Sequence, residues 1–492
     1  MTTLLPLLRR IVRGRWFLIT LGVHLVGLSR PVWQVSARAE DAPPATQATP
    51  GVSYFRDVLP IFQAQCHGCH QPAKREGQYV MTDVASLRRG GESGEPAVVP
   101  GNPAASALWN QIRADQGTPA MPKGRPPLAA PYLKQIEAWI AAGAVDDSPP
   151  ATRSRFDADH PPQYAAPPVI TALDYSPDGQ WLAISGYHEV LLYRPEQGLE
   201  GRLIGLSERI ESAVFSPDGR QLAVTGGSPG RLGEIQMWRV EQRELAWSQT
   251  VGFDTLYGAS WSRDGKRVAF GCPDKTTRAL DAETGQQVFF NGAHEDWVLD
   301  TVFSLEGDHL VTVSRDMSMK LMHVATQRFI DNITSITPGA LKGGLMAVDR
   351  HPARDEVLVG GADGIPKIYR MHREKARVIG DDFNLIRALP AMPGRLFDVA
   401  YSRDGQYVVA GSSFQGRGEI RAFAEADGRE LWKIEVPDGG IYAVAVHPRG
   451  TTVAAGGFDG LVRIVDFASG TVSRSFYPVD LRTGDVGEQD GS

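Results

Sequence analysis

The stretch Tyr175-Ser176-Pro177-Asp178-Gly179 follows a short run of strand-forming residues and decides the fold of most of the chain. An Asp-Gly pair is favoured at a tight strand reversal because both residues tolerate positive φ. After each such turn come an apolar strand, often a small-residue turn such as Gly226-Gly227, and another strand. Six further copies, some degenerate, follow at intervals of about 40 to 51 residues, within 215–219, 261–265, 303–307, 350–352, 401–405 and 446–450. This period predicts an all-β fold of repeated four-stranded units.

The late strand of each repeat carries a resemblance to a known family. Trp238 fills the tryptophan position of that strand, and His294 lies near the usual Gly-His position. Residues 167–478 therefore resemble a WD40 β-propeller, and the resemblance implies seven blades, or eight if an insertion hides one. WD40 rings are predominantly scaffolds, so it also implies a protein partner on the face that carries the loops. Other side chains stand at the tryptophan position in four repeats: Met322, Tyr369, Phe423 and Val465.

The first 39 residues have the pattern of an export signal. They contain six arginines and no acidic residue, an apolar run over 16–28, and the sequence Ala37-Arg38-Ala39. These are the three parts of a secretory signal peptide. As a helix the apolar run would rise about 20 Å, less than the roughly 30 Å hydrocarbon core, so a retained membrane anchor is the weaker alternative. The sequence predicts a periplasmic or otherwise exported protein, associated with a membrane only if this segment is kept.

Composition and charge restrict the function classes. A net charge of −6 with 22% charged residues gives no case for a nucleic-acid partner. Loss of residues 1–39 removes six positive charges and makes the chain more acidic. The 53 glycines and 34 prolines agree with many tight turns. Three cysteines cannot form a disulfide scaffold.

The stretch Cys66-His67-Gly68-Cys69-His70 is the attachment motif for c-type haem. Two thiols on one short turn can each add to a haem vinyl group, while the adjacent imidazole binds the iron. Zinc would need four ligands around a tetrahedral ion, and these side chains are too close together. A thioredoxin-like site would need a βαβ context, which the sequence lacks. We expect one covalent haem c, with Cys66 and Cys69 as anchors and His70 as the proximal ligand.

Met121 is the candidate distal ligand of the haem iron. It lies in the proline-rich loop 118–127, which is a poor setting for a core methionine. Between residues 40 and 151 the only other histidine, His67, is inside the motif, and the only other methionine, Met81, follows His70 by too short a stretch. A thioether is a usual distal ligand. An open or water-ligated iron is the alternative.

Residues 52–148 predict a small helical domain around this motif. Apolar residues recur at helical spacing over 55–62, and further helices are expected over 105–112 and 131–142. The region resembles the planctomycete-type c-type cytochrome domain, whose Met-Pro-Pro reads Met121-Pro122-Lys123 here; the resemblance implies distal ligation by Met121. The matching stretches are 56–61, 66–70, 90–94, 99–103 and 139–144.

These observations predict a multidomain chain with a small all-α cytochrome c domain followed by an all-β seven-bladed WD40 β-propeller. The expected order is a signal peptide (1–39), a linker (40–51), the cytochrome domain (52–148), a Pro-rich linker (149–166), the propeller (167–478) and a flexible tail (479–492).

The predicted function is that of an exported haem c electron-transfer protein whose propeller docks partners, including a redox partner protein. A periplasmic haem-dependent oxidoreductase with a site in the propeller, and a haem-containing interaction or sensor protein, are the alternatives. The propeller histidines are scattered singly, and no paired carboxylates or nucleophile motif have a credible context. A carrier or scaffold is therefore favoured over an enzyme, and no catalytic residue is assigned.

Overall fold

The computed structural model describes residues 51–114, 117–149, 156–335, 342–378 and 380–481. The predicted signal segment 1–39 lies outside the described residues, as do all but one residue of the first linker and positions 482–492 of the predicted tail. The described chain from Gly51 onward forms one compact unit. None of its helices combines the length and apolar content needed to cross a bilayer.

Short helices form the N-terminal part of this unit. A π-helical turn over Tyr54–Val58 leads into α1, in which Pro60 occupies the first turn, where its missing N–H costs nothing. The Ser53 hydroxyl accepts a hydrogen bond from Arg56 N (3.0 Å) and so caps the π-helical turn. The α-helices are α1 (Leu59–Gln65), α2 (Val84–Arg89), α3 (Ala107–Ile112) and α4 (Ala130–Ala141), with 3-10 turns at Glu76–Gln78 and Pro103–Ala105 and a two-stranded ribbon of β1 (His70–Gln71) and β2 (Lys74–Arg75).

An aromatic core holds these helices together. Trp139 of α4 is buried and packs edge-on against Phe62 of α1, with ring centroids 6.2 Å apart. Tyr54 lies 5.2 Å from the same indole, whose Nε1 donates to Val145 O (3.0 Å). The helical spacing that predicted helices over 55–62 and 131–142 therefore reflects a shared buried face.

The rest of the described chain is antiparallel sheet. The first sheet has seven strands in sequence order: β3 (Leu173–Tyr175), β4 (Leu182–Ser185), β5 (Tyr187–Arg194), β6 (Gly198–Phe215), β7 (Gln221–Ser228), β8 (Leu232–Arg239) and β9 (Glu244–Thr250). Two four-stranded sheets follow: β10 (Tyr257–Trp261), β11 (Arg267–Gly271), β12 (Thr277–Asp281), β13 (Gln287–Asn291), and β14 (Val298–Phe303), β15 (His309–Ser314), β16 (Met319–His323), β17 (Arg328–Asn332).

Three more four-stranded sheets complete the β region. They are β18 (Leu345–Arg350), β19 (Glu356–Gly361), β20 (Lys367–Arg370), β21 (Leu385–Ala388); β22 (Arg395–Tyr401), β23 (Tyr407–Phe414), β24 (Arg417–Ala424), β25 (Glu430–Val436); and β26 (Ile441–Val446), β27 (Thr452–Gly457), β28 (Val462–Asp466), β29 (Thr471–Phe476).

The recurring turn joins the first two strands of each four-stranded unit. In the first copy the Ser176 hydroxyl donates to Asp178 Oδ1 (2.5 Å) and accepts from Trp181 N (2.9 Å), and Gly179 has φ of 73°. Two copies replace the serine by histidine, whose ring nitrogen accepts from a different amide, two residues on instead of five: His351 Nδ1 accepts from Ala353 N (3.1 Å). The degenerate copies thus keep the turn with different chemistry.

The structure differs from the predicted series of separate four-stranded units at one place. β6 is 18 residues long and pairs with β5 through its first part and with β7 through its last part. The first two units are therefore merged in one seven-stranded sheet. The reason is that the chain passes from the last strand of one unit to the first strand of the next without a break in its extended conformation.

The first strands of successive units contact one another in the order β3, β6, β10, β14, β18, β22 and β26, and β26 contacts β3. Half-buried aspartates link neighbouring first strands: Asp174 accepts from Phe215 N at 2.7 Å, and Asp398 accepts from Val444 N at 2.8 Å. These strands surround a central cavity of about 630 Å³.

Beyond the last strand, Val479 is buried and Leu481 pairs with Tyr164.

Candidate functional site

The motif 66–70 forms a tight turn directly after α1. Cys66 N donates to Phe62 O (2.8 Å), and the amides of Cys69 and His70 both donate to Cys66 O (3.1 Å each). Both thiols are free; Cys69 is exposed, whereas Cys66 is half-buried against the helical core. Burial raises the pKa of Cys66 to about 12. The turn therefore presents two thiols of different accessibility within one turn of chain.

His70 lies beside these thiols with an unsatisfied nitrogen. Its ring packs on Tyr79 with centroids 5.3 Å apart, and Nδ1 is buried without a hydrogen-bond partner among the described residues. Burial lowers the pKa of His70, and the backbone of Tyr79 and Glu76 partly opposes the shift. A neutral imidazole is the form that binds a metal ion. Two free thiols and this imidazole on one turn fit a covalently attached haem.

His67 has a different environment. It is only 3% exposed, and its Nε2 lies 3.1 Å from Met81 O. Burial lowers the pKa of His67 to about 4. The ring is therefore neutral and lies in the core. The side chain of Met81 is buried in the same core.

Met121 lies on the same core as Cys66. Its backbone N donates to Gln111 O (3.0 Å), and its side chain packs, half-buried, against the helical core cluster that Cys66 also contacts. The charge of Arg125, in the same loop, opposes the rise in the Cys66 pKa. The structure thus brings Met121 and the first thiol to one cluster.

The motif also packs against the β region, a feature that sequence reasoning missed. Gln71, fully buried, donates through Nε2 to His67 O and to Ser248 Oγ, at 2.9 Å each. Lys74 Nζ donates to Ala246 O. A side chain at Gly68 would meet the carbonyl oxygen of Ser248. No sequence signal could have found this contact, because its partners are 177 residues apart.

A buried polar cluster lies behind Ser248. Glu234 is 1% exposed and accepts from Ser207 Oγ (2.8 Å) and Gln236 Nε2 (2.7 Å). Burial raises the pKa of Glu234, and hydrogen bonds from Gln236, Ser207, Ser248 and Gln71 oppose the shift. The cluster extends the polar contact of the motif into the first sheet.

A second surface feature lies at one edge of the β region. Because strands alternate in direction, turns between second and third strands share an edge with connections between units. Five exposed apolar side chains lie in these turns and connections, each in a different one, with exposed fractions of 45–68%: Tyr187, Phe253, Met317, Phe414 and Phe458. Within the described ranges, no three His, Cys, Asp or Glu side chains are arranged to hold a metal ion.

Comparison with known proteins supports the two-domain composition. Residues 66–124 match the family model "Planctomycete cytochrome C", and residues 428–466 match "WD domain, G-beta repeat". Proteins named eukaryotic translation initiation factor 3 subunit I are similar over a longer part of the chain. That of Aspergillus terreus is 26% identical over 61% of this chain and 79% of its own length. That of Mycosarcoma maydis is 25% identical over 54% of this chain and 70% of its own length.

These relatives correct the function expected from the sequence. The predicted exported haem c electron-transfer protein, its redox partner and its periplasmic location are wrong, because proteins aligned over 61% of the chain are named as translation initiation factor subunits. The alternative of a periplasmic oxidoreductase is wrong for the same reason. The prediction was wrong because it assigned to the whole chain a function and a location inferred from a short motif and an N-terminal segment. The chain is thus similar to a planctomycete cytochrome c over residues 66–124 and, over most of its length, to subunits of a multisubunit factor.

Proposed function

We propose that this chain is a scaffold subunit of a multiprotein assembly, in which residues 167–478 form a seven-bladed WD40 propeller that binds other subunits. The ordered contacts of the seven first strands, with β26 against β3, support a closed ring. The relatives' name, which describes a subunit, supports the assembly role. A rigid ring with loops at one edge is a common arrangement for binding.

The observation that carries this proposal is the exposed apolar set at one edge of the ring. Phe253 is 68% exposed and Phe458 is 61% exposed, and both lie in connections at that edge. Aromatic side chains supply much of the binding free energy at protein interfaces. The partner is therefore a protein with a complementary apolar surface.

The native size of the complex tests the proposal. The protein purified gently from its own cells is expected in a stoichiometric complex well above its own mass of 53.5 kDa. Sedimentation with mass spectrometry identifies constant partners. Recovery of the chain only as a free monomer, at cellular concentration, would contradict the scaffold role.

We further propose that the helical domain, residues 52–148, carries one covalent haem c. Cys66 and Cys69 would hold the porphyrin by thioether bonds, His70 would bind the iron, and Met121 is the candidate second axial ligand. The free thiols, the unsatisfied His70 Nδ1 and the family match over 66–124 support this assignment. Bound haem would supply an iron centre with a proximal imidazole. The chain's own residues anchor the group and orient the ring of His70 against Tyr79.

Haem attachment is tested by a pyridine haemochrome assay on protein produced with haem-attachment machinery. One covalent haem per chain is expected. A chain that stays free of haem while it is folded would contradict the assignment and would leave the scaffold proposal intact.

A further inference from the structure

The contact between the motif 66–70 and strand β9 joins the two parts of the chain. We propose that β9 is a docking site for this turn and that docking couples them, so that occupancy of the turn and the order of β9 change together. The coupling rests on the proposed haem attachment, whereas docking does not.

The close approach of Gly68 to Ser248 supports docking of the turn on β9. In a C-x-x-C-H turn the two middle positions make no bond to haem, so attachment chemistry does not require glycine there. Here a Cβ at position 68 would lie closer than 3.0 Å to the carbonyl oxygen of Ser248, a backbone atom that cannot rotate away. Gly68 does not adopt a positive φ, so close approach to β9 is what demands glycine.

The position of β9 at the edge of its sheet also supports docking. Within the described chain β9 is the last strand of the seven-stranded sheet and has no strand neighbour beyond it. Such an edge carries unpaired carbonyl groups that need cover. Lys74 of β2 donates to Ala246 O. Gln71 donates to Ser248 Oγ at 2.9 Å. The segment after the motif therefore covers β9 in the manner of a partner.

Burial makes this contact cooperative. Gln71 and Ser248 are at most 3% exposed, and Ser248 adjoins the buried cluster of Glu234, Gln236 and Ser207. Removal of Gln71 from Ser248 would leave buried polar groups without partners, which is unfavourable. Partial opening is therefore disfavoured, and the turn is either docked or released. Coupling between two sites is reciprocal. The free energy by which an ordered turn stabilises β9 therefore equals the free energy by which an ordered β9 stabilises the turn.

The test begins with haem-free full-length protein and Gly68→Ala. This change keeps both cysteines and His70 but clashes with Ser248 O. We expect amide exchange in 66–76 and in 244–250 to become about tenfold faster, because docking protects both segments. Gly292→Ala is the matched control, since the nearest atom to its added Cβ is 3.9 Å away. Unchanged exchange in both segments of Gly68→Ala would overturn docking.

A second variant guards against misfolding. Gln71→Met keeps side-chain length but removes the donor to Ser248. Exchange in 244–250 is expected to rise about fivefold while exchange in the last sheet, 441–476, stays unchanged. A rise of equal size in the last sheet would show global destabilisation and would overturn the specific contact.

The coupling is tested by comparing haem-attached and haem-free protein. Attachment is expected to slow exchange in 244–250 in the wild type by about tenfold and to have no such effect in Gly68→Ala. Equal protection in both proteins, or none in the wild type, would overturn the coupling. Failure of haem to attach to any variant would contradict the proposed haem site, while the haem-free measurements would still decide docking.

Discussion

The carboxylate of Asp398 on β22 accepts a 2.8 Å hydrogen bond from the backbone N–H of Val444 on β26. Asp398 also accepts from Val399 N (2.8 Å) and so satisfies two amides that face the central cavity. Equivalent bonds join Asp300 to Val348 N (2.9 Å) and Asp349 to Tyr401 N (2.7 Å). These aspartates connect successive sheets at their innermost strands.

Asp398→Ala is expected to lower the free energy of unfolding by about 1–3 kcal/mol, because two partly buried amides lose their acceptor. Urea denaturation followed by tryptophan fluorescence measures the change. Asp427→Ala is the matched control, because the Asp427 side chain is 62% exposed. Equal stability of the Asp398 and Asp427 variants would show that this link between sheets contributes nothing.

Stability is expected to fall as pH rises from about 5 to 8. Burial raises the pKa values of Asp174 and Asp398 to about 7. A carboxyl whose pKa is raised on folding favours the folded state at low pH, and this contribution is lost as pH rises through the folded pKa. The loss should be on the order of 1 kcal/mol or more for each group.

The double variant Asp174→Asn plus Asp398→Asn separates this effect from other titrations. Its side chains keep an acceptor oxygen but do not ionise. The fall in stability between pH 5 and 8 should be reduced in this variant. A pH profile parallel to that of the wild type would assign the titration to other groups.

The turn signature predicted the local parts of the β region well. Ser176 and Asp178 make their bonds within five residues, so the sequence pattern contains the whole interaction. The continuous strand β6 was not predictable, because its two halves pair with strands on either side. Nor was the role of Asp398 predicted: aspartates recur in the first strands of four units, but the amide that each one binds lies in the next unit, 41 to 52 residues away.

The candidate haem site shows the same division. Cys66, Cys69 and His70 form a local motif, and Met121 and Cys66 both pack against the helical core; ligation by Met121 stays a prediction. The contact of Gln71 with Ser248 depends on long-range packing and left no trace in the sequence. The expected electron-transfer function failed for a related reason: the motif describes one small region, whereas the named relatives align over most of the chain.

Haem attachment is expected to depend on both thiols. Cys66→Ser plus Cys69→Ser should abolish covalent haem, because no thiol remains on the turn to form a thioether. A pyridine haemochrome assay after acid–acetone extraction measures covalent haem. Cys272→Ser, at the buried cysteine of the β region, is the control and should retain it. Covalent haem in the double variant would contradict the assigned anchors.

Met121→Ala tests the second axial ligand. Loss of the thioether should shift the haem absorption spectrum and expose the iron to added imidazole. Met81→Leu is the matched control, because Met81 is buried in the helical core and should leave the spectrum unchanged. An unchanged Met121→Ala spectrum would remove this residue from the ligand set.

The scaffold role is tested most directly by the double variant Phe253→Ser plus Phe458→Ser. Both side chains are more than 60% exposed, so the fold should tolerate the change, whereas an interface that buries them should weaken by about 2 kcal/mol or more. Val472→Ser, on the outer strand β29 and 40% exposed, is the control. Sedimentation of native complexes is expected to show assembly retained by the control and lost by the double variant; full assembly of the double variant would contradict the account.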